Sequence, residues 1–167
     1  MNEKRPVNLL PNIFLILSII ALDQVTKLAI LGRDVVDIYP EMEITSFLNL
    51  VLVQNKGISF GLFSRYEVGW LISILTIGIV VVLFIWMRKL ERAILALPFS
   101  LIIGGAIGNL IDRLNYGFVV DFIDFHFFGW HWPAFNIADA CITIGVVLLA
   151  ADMLVNSKPF NSPDSTA

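Results

Sequence analysis

Apolar residues along this chain fall into four long runs separated by two stretches of mixed character. The first run extends from about Ile13 to Leu31 and is broken only by Asp23 and Lys27. The second, residues 68–87, carries no charge over twenty positions. At a rise of 1.5 Å per residue, a helix of that length crosses a hydrocarbon core about 30 Å thick. Residues 93–112 and 135–155 repeat the pattern. The expected fold is therefore an all-α membrane protein, one domain over residues 1–167 with four transmembrane helices. Lys4 and Arg5 ahead of the first run look like the start of a signal peptide. The apolar run nevertheless continues past a plausible cleavage point after Ala21 and reaches spanning length, which predicts a retained helix.

The intervening stretches predict something else. Residues 33–67 contain Arg33, Asp34, Asp37, Glu41, Glu43 and Glu67, with a short β-prone run from Phe47 to Val53. Asn55-Lys56-Gly57 is a turn signal, because Asn and Gly tolerate positive φ. On pattern alone it reads as a turn rather than a binding site. Together these predict a small extracytoplasmic β-element whose apolar face rests on the membrane interface. The aromatic-bearing segment Ile58–Phe63 that follows is placed to act as a lid. Residues 113–134 hold one basic residue, Arg113, among many aromatics, as expected of an interfacial segment. Residues 157–167 read as a disordered tail.

Composition sharpens the class. The chain is 57% hydrophobic and 15% charged, and its net charge of -3 offers no basic face for nucleic acid. Cys141 stands alone, two residues from Asp139 and so about 200° round the helix from it, and reads as a packing residue. Lys4, Arg5, Arg88, Lys89, Arg92 and Lys158 cluster in short segments on one side, against Arg33, Lys56, Arg65 and Arg113 on the other. The positive-inside rule then predicts cytoplasmic termini, with loops 33–67 and 113–134 outside. Gly104 and Gly108 give the third span a small face for close helix packing.

Ionisable residues within or beside spans are unfavourable and become functional candidates by default. Gly104–Asp139 holds Asp112, Asp121, Asp124 and Asp139. Asn109, Asp112 and Arg113 are spaced i, i+3, i+4 at the outer end of the third helix. Asn136 and Asp139 are spaced i, i+3 on the fourth, with Asp139 four or five residues inside the helix start. Two carboxylates a few Å apart share one proton and titrate together, which is what aspartic-type peptide hydrolysis requires. Asp121 and Asp139 are the expected pair, and Asp124 could replace Asp121 on spacing alone. Asp112, beside Arg113 at a helix end near water, reads as structural. Asp23 and Lys27, four apart, form either an ion pair facing the bundle interior or part of the site. His126 and His131 sit in the aromatic segment and read as polar tips at the headgroups; no metal or cofactor is expected. A proton-conducting subunit is the main rival, but a relay needs acids through to the other face, where only Asp152 stands.

These blocks together resemble the lipoprotein signal peptidases, the bacterial signal peptidase II family. The resemblance rests on Asp23 with Lys27, Asn55-Lys56-Gly57, residues 105–113 (GAIGNLIDR), Val119-Val120-Asp121-Phe122 and Phe135-Asn136-Ile137-Ala138-Asp139. It implies an aspartyl endopeptidase of the bacterial inner membrane with its active site at the outer face. The implied reaction removes signal peptides from diacylglyceryl prolipoproteins before the lipidated cysteine. By motif the catalytic pair falls on Asp121 and Asp139, in preference to Asp124. Asp23, Lys27, Asn55, Gly57, Asn109, Asp112, Arg113 and Asn136 match blocks that support the site, the substrate or the inhibitor globomycin. Membrane lipid is the implied surrounding and a monomer is expected. The chain departs from the family at Lys56 and Ile58-Ser59, where Thr and small residues are common.

Overall fold

The computed structural model describes residues 8–32, 41–57, 65–90 and 92–156. Lys4, Arg5, Arg33 and Lys158 of the topology argument lie outside the described residues, as do the Ile58–Phe63 lid segment and the tail. In chain order the elements are α1 (Leu10–Leu31), β1 (Glu41–Thr45), β2 (Leu48–Asn55), α2 (Arg65–Arg88), a 3-10 turn (Ala93–Leu95), α3 (Ala96–Tyr116), β3 (Val119–Phe127), β4 (Trp130–His131) and α4 (Ile137–Asn156).

All four expected spans form helices long and apolar enough to cross a membrane. Burial distinguishes their roles: 56% of the α3 span is covered by protein against 11% of α2 and of α4. Thus α3 is the axis on which the others pack, and α2 and α4 turn most of their surface to lipid. Missing side chains make this packing possible. A Cβ on Gly104 would meet Ile19 of α1 at 3.0 Å, one on Gly108 would meet Asp23 Oδ2 at 2.6 Å, and one on Gly105 would collide with the Ala138 carbonyl of α4. The expected small-residue face is therefore real and carries α1, while its neighbour Gly105 carries α4. At the far end of the bundle, Ile16, Met87, Ala96, Phe99 and Ile103 form an apolar cluster.

The β-element is larger than the sequence predicts. β2 covers the β-prone run as expected, but residues 119–131 also form strands, so the interfacial segment is sheet rather than irregular loop. The four strands lie in the order β1-β2-β3-β4, with antiparallel pairing throughout. β3 escaped the pattern because residues 119–122 are all buried, and a strand covered on both faces has no period of two. An extra residue on β2 between Leu50 and Val53 shifts the register, so that Asn49 faces Asp124 while Val53 faces Asp121. The β3–β4 connection is a two-residue turn with Phe128 at φ 48° and Gly129 at φ 80°, and the positive φ at both positions matches strand twist.

Candidate active site

The polar side chains gather where the ends of α1 and α3, the start of α4 and the start of β3 meet. The local design begins at the α4 N-terminus. Asn136 caps the helix: its Oδ1 accepts the Asp139 N–H at 2.9 Å, and the Asp139 carboxylate accepts the Asn136 N–H at 3.3 Å. This is a reciprocal capping box written with Asn and Asp. It corrects the expected depth of Asp139, which stands in the first turn of α4 and not four or five residues below the start.

The cap also aims the amide. With Oδ1 committed to the Asp139 N–H, the Asn136 NH2 group donates to Asp121 Oδ1 at 2.7 Å, with the Val120 carbonyl and Asn109 Oδ1 at 3.2 and 3.1 Å. One side chain therefore joins Asp121 to Asp139. The same logic holds at two further asparagines. Asn55 Oδ1 accepts the Gly57 N–H at 2.9 Å, which leaves its NH2 to donate to Asp121 Oδ2 at 2.9 Å. Lys27 Nζ, which can only donate, holds Asn109 Oδ1 at 2.9 Å, and the Asn109 NH2 then reaches Asp139 Oδ1 at 2.8 Å. In each case a group with no acceptor fixes which end of the amide faces the carboxylate. The Asn55–Gly57 segment is thus both a turn, with Gly57 at φ 75°, and a contact to Asp121.

Asp23, Lys27 and Asp112 form a buried ion cluster behind this layer. Lys27 Nζ lies 2.8 Å from Asp23 and 2.9 Å from Asp112, and all three are no more than 1% exposed. The expectation that Asp112 lies near water beside Arg113 is overturned: it is wholly buried, and its Oδ2 accepts the Val120 N–H at 3.0 Å. Asp23 Oδ1 likewise accepts the Ala138 N–H at 2.9 Å. Each backbone amide so held immediately precedes one member of the pair. Gln24, absent from the expected set, donates to Asp112 at 2.9 Å and to the Gly108 carbonyl at 3.2 Å. Its i, i+3 spacing to Lys27 was the available signal.

Asp124 lies elsewhere. Three residues along a strand from Asp121, it faces the opposite side of the sheet and binds Asn49 at 3.2 Å and His131 Nδ1 at 2.8 Å. His131 is therefore tied to a carboxylate, and it stacks on His126 at 5.2 Å between ring centroids. Arg113 bonds its own helix at Asn109 O, 3.5 Å away, and its charge acts on Asp139, then on Asp112 and Asp121.

Burial pushes the Asp121 carboxyl up to about 6; the Asn55 bond opposes this and the Asp139 charge adds to it. Between α2, the end of α3 and the end of β2 opens a cavity of about 480 Å³ lined by Gln54, Lys56, Trp70, Ser73, Arg113 and Tyr116 among others; neither Asp121 nor Asp139 lines it, and Arg113, whose charge acts on Asp139, connects it to the pair. That volume lies within the usual range for ligand sites of about 300–1,000 Å³.

Among the described residues, four helices long and apolar enough to span a membrane, with buried polar side chains gathered at one end of the bundle, define a polytopic membrane protein. The model of the family described as Signal peptidase (SPase) II matches residues 15–155, so this chain belongs to the signal peptidase II family and is a peptidase. It is 46% identical over 141 residues to the lipoprotein signal peptidase of Burkholderia multivorans, covering 83% of this chain and 84% of that one. With the lipoprotein signal peptidase of a Janthinobacterium species it shares 43% over 152 residues, 88% of this chain and 90% of the relative. A bacterial membrane enzyme solved by the in meso method at 1.9 Å superposes with a TM-score of 0.82 at 33% identity, over 93% of this chain and 99% of that chain.

Proposed function

We propose that this protein is an aspartyl endopeptidase that removes the signal peptide from diacylglyceryl prolipoproteins, cutting before the lipidated cysteine. The observation that supports the mechanism is that Asn136 contacts both carboxyls, donating its side-chain NH2 to Asp121 and its backbone N–H to Asp139. In this reading the ionised member takes a proton from a water lodged between them. The protonated member hydrogen-bonds the scissile carbonyl, and the pair then protonates the leaving amine. No covalent intermediate forms.

The surroundings support this choice of substrate. In this reading a peptide enters by the cavity that Arg113 lines and passes Arg113 to the pair, while acyl chains lie along the largely uncovered surface of α2. An acylated cysteine is already confined to the bilayer, so approach is lateral. Both termini are cytoplasmic in this reading and the site opens at the outer face of the inner membrane. The enzyme acts as a monomer, and globomycin competes for the same cavity.

The test uses the purified protein with two synthetic peptides of one prolipoprotein sequence, one carrying diacylglyceryl-cysteine and one carrying free cysteine. Mass spectrometry should find a single cut, immediately before the lipidated cysteine, in the first peptide only. Equal cleavage of both, or a cut elsewhere, would refute the proposed specificity.

A further inference from the structure

We infer that the cavity lined by Lys56 and Arg113 is a subsite that favours substrates with an acidic residue within two positions after the lipidated cysteine, and that Lys56 is the residue that sets this preference. This rests on the prolipoprotein reading above and names which substrates that site prefers.

The cavity and the pair are built from the same short segments. At the end of β2, Asn55 turns its NH2 to Asp121 at 2.9 Å, while Gln54 and Lys56, on either side of it, line the cavity. Successive side chains of an extended chain point to opposite faces, so one segment serves both. On α3 the Asn109 NH2 reaches Asp139 at 2.8 Å, and Arg113, one turn on, lines the cavity. Consecutive Cα atoms are about 3.8 Å apart, so the cavity begins one residue from a group that touches Asp121. An extended peptide rises about 3.3 Å per residue. With its scissile bond at the pair, it brings the residue one or two positions away into the cavity.

Polarity decides which side of the cut enters. The residues before it end an apolar signal segment that stays in hydrocarbon, whereas those after it lead out to water. A lining that includes Gln54, Lys56, Ser73 and Arg113 suits the second group. Charge then decides which side chains are favoured. Among the described residues that line the cavity two are cations and none is an acid. Neither cation makes an ion pair with a described residue. Arg113 is nevertheless directed at Asp139, Asp112 and Asp121, whose charges act on it from behind. Lys56 has no such partner and is exposed, so it attracts a carboxylate that enters the cavity and repels a second ammonium. A lipid phosphate would meet the same charge, but the adjacency of the cavity to the pair favours the peptide.

Because Lys56 is exposed, Lys56→Gln and Lys56→Glu should both fold. Three lipidated peptides of one sequence carry Asp, Asn or Lys at the second residue after the cysteine, and a parallel set varies the first. For each, kcat/KM is measured in micelles of a neutral detergent at low salt and at about 1 M salt, where the screening length is about 3 Å. With wild type at low salt, Asp should exceed Asn by about two- to fivefold in at least one set, the range of an exposed ion pair, and Lys should fall below Asn. The Asp-to-Asn ratio is the readout, because general damage to the site lowers both peptides alike. It should approach one in Lys56→Gln, drop below one in Lys56→Glu and shrink at high salt.

Equal ratios in wild type and Lys56→Gln would overturn the inference. So would the absence of any peptide preference together with inhibition of wild type, but not of Lys56→Gln, by added phosphatidylglycerol, which would give the cavity to a lipid phosphate. Cleavage of the Asn peptide before its lipidated cysteine reports the prolipoprotein reading separately. If wild type cut none of the peptides there, that reading would fall and this inference with it.

Discussion

Asn136 has two separable jobs, and substitutions there split them. Asn136→Ala removes the cap on the Asp139 N–H and the NH2 group on Asp121. Loss of an N-cap costs about 1 kcal/mol, and loss of a hydrogen bond to a charged or partly charged group about 1.5–3 kcal/mol. The sum is about 2.5–4 kcal/mol of stability. Asn136→Ser restores a good cap but cannot reach Asp121, so it should recover about 1 kcal/mol. Activity should not follow stability. Without the bridge the pair loses its spacing, and a displacement of about 1 Å in such a site lowers turnover about 100-fold. Both variants should fall by about that factor. Stability is read by denaturant titration in micelles and turnover with the lipidated peptide. If the Asn136→Ser variant regained activity in step with stability, the bridge would be only a helix cap, and the role given to Asn136 would be wrong.

Other outcomes follow from the same geometry. Gly108→Ala places a methyl 2.6 Å from Asp23 Oδ2, so denaturant titration should register an overpacking loss of about 1–3 kcal/mol, with lower turnover because Asp23 holds the Ala138 amide. Asp124→Asn should leave turnover within about threefold of wild type, since Asp124 faces away from the pair and its His131 partner is half exposed; a 100-fold loss in a peptide assay would return it to the site. Asp121 also makes a pH prediction. Its folded pKa of about 6 lies above the ordinary 3.8, so its contribution to stability is fully present below the ordinary value and is lost as pH rises through about 6. At about 1.4 kcal/mol per unit, wild type should lose about 3 kcal/mol between about pH 4 and pH 7 that Asp121→Asn does not. Parallel stability profiles for the two proteins would contradict that burial.

The four helices were legible because spanning a bilayer demands about twenty apolar residues in a row, a pattern that no partner need complete. Asp23 with Lys27 was legible as a pair, since i, i+4 spacing is local. The capping box at Asn136 and Asp139 was equally local. Its spacing was visible, although its meaning as a cap emerged only with the helix boundary. What stayed hidden was contact between distant segments. Nothing near Asp112 announces that Lys27, on another helix, neutralises it, or that the Val120 amide takes its second oxygen. Nor does alternation betray β3, because both its faces are covered where it enters the site. The choice between Asp121 and Asp124 was open to spacing alone. Once β3 is known to be a strand, alternation turns Asp121 towards Asn136, while Asp124, three residues on, meets Asn49 on the opposite face.

The most direct test of the central claim is single-turnover cleavage of the diacylglyceryl peptide by wild type, Asp121→Asn and Asp139→Asn, each confirmed folded and each assayed with a chelator present. The account predicts that both variants lose at least about a thousandfold in rate, as removal of a catalytic acid or base does, while wild type is unaffected by the chelator. Substantial cleavage by either variant, or loss of wild-type activity on chelation, would contradict a water-activating pair of carboxyls.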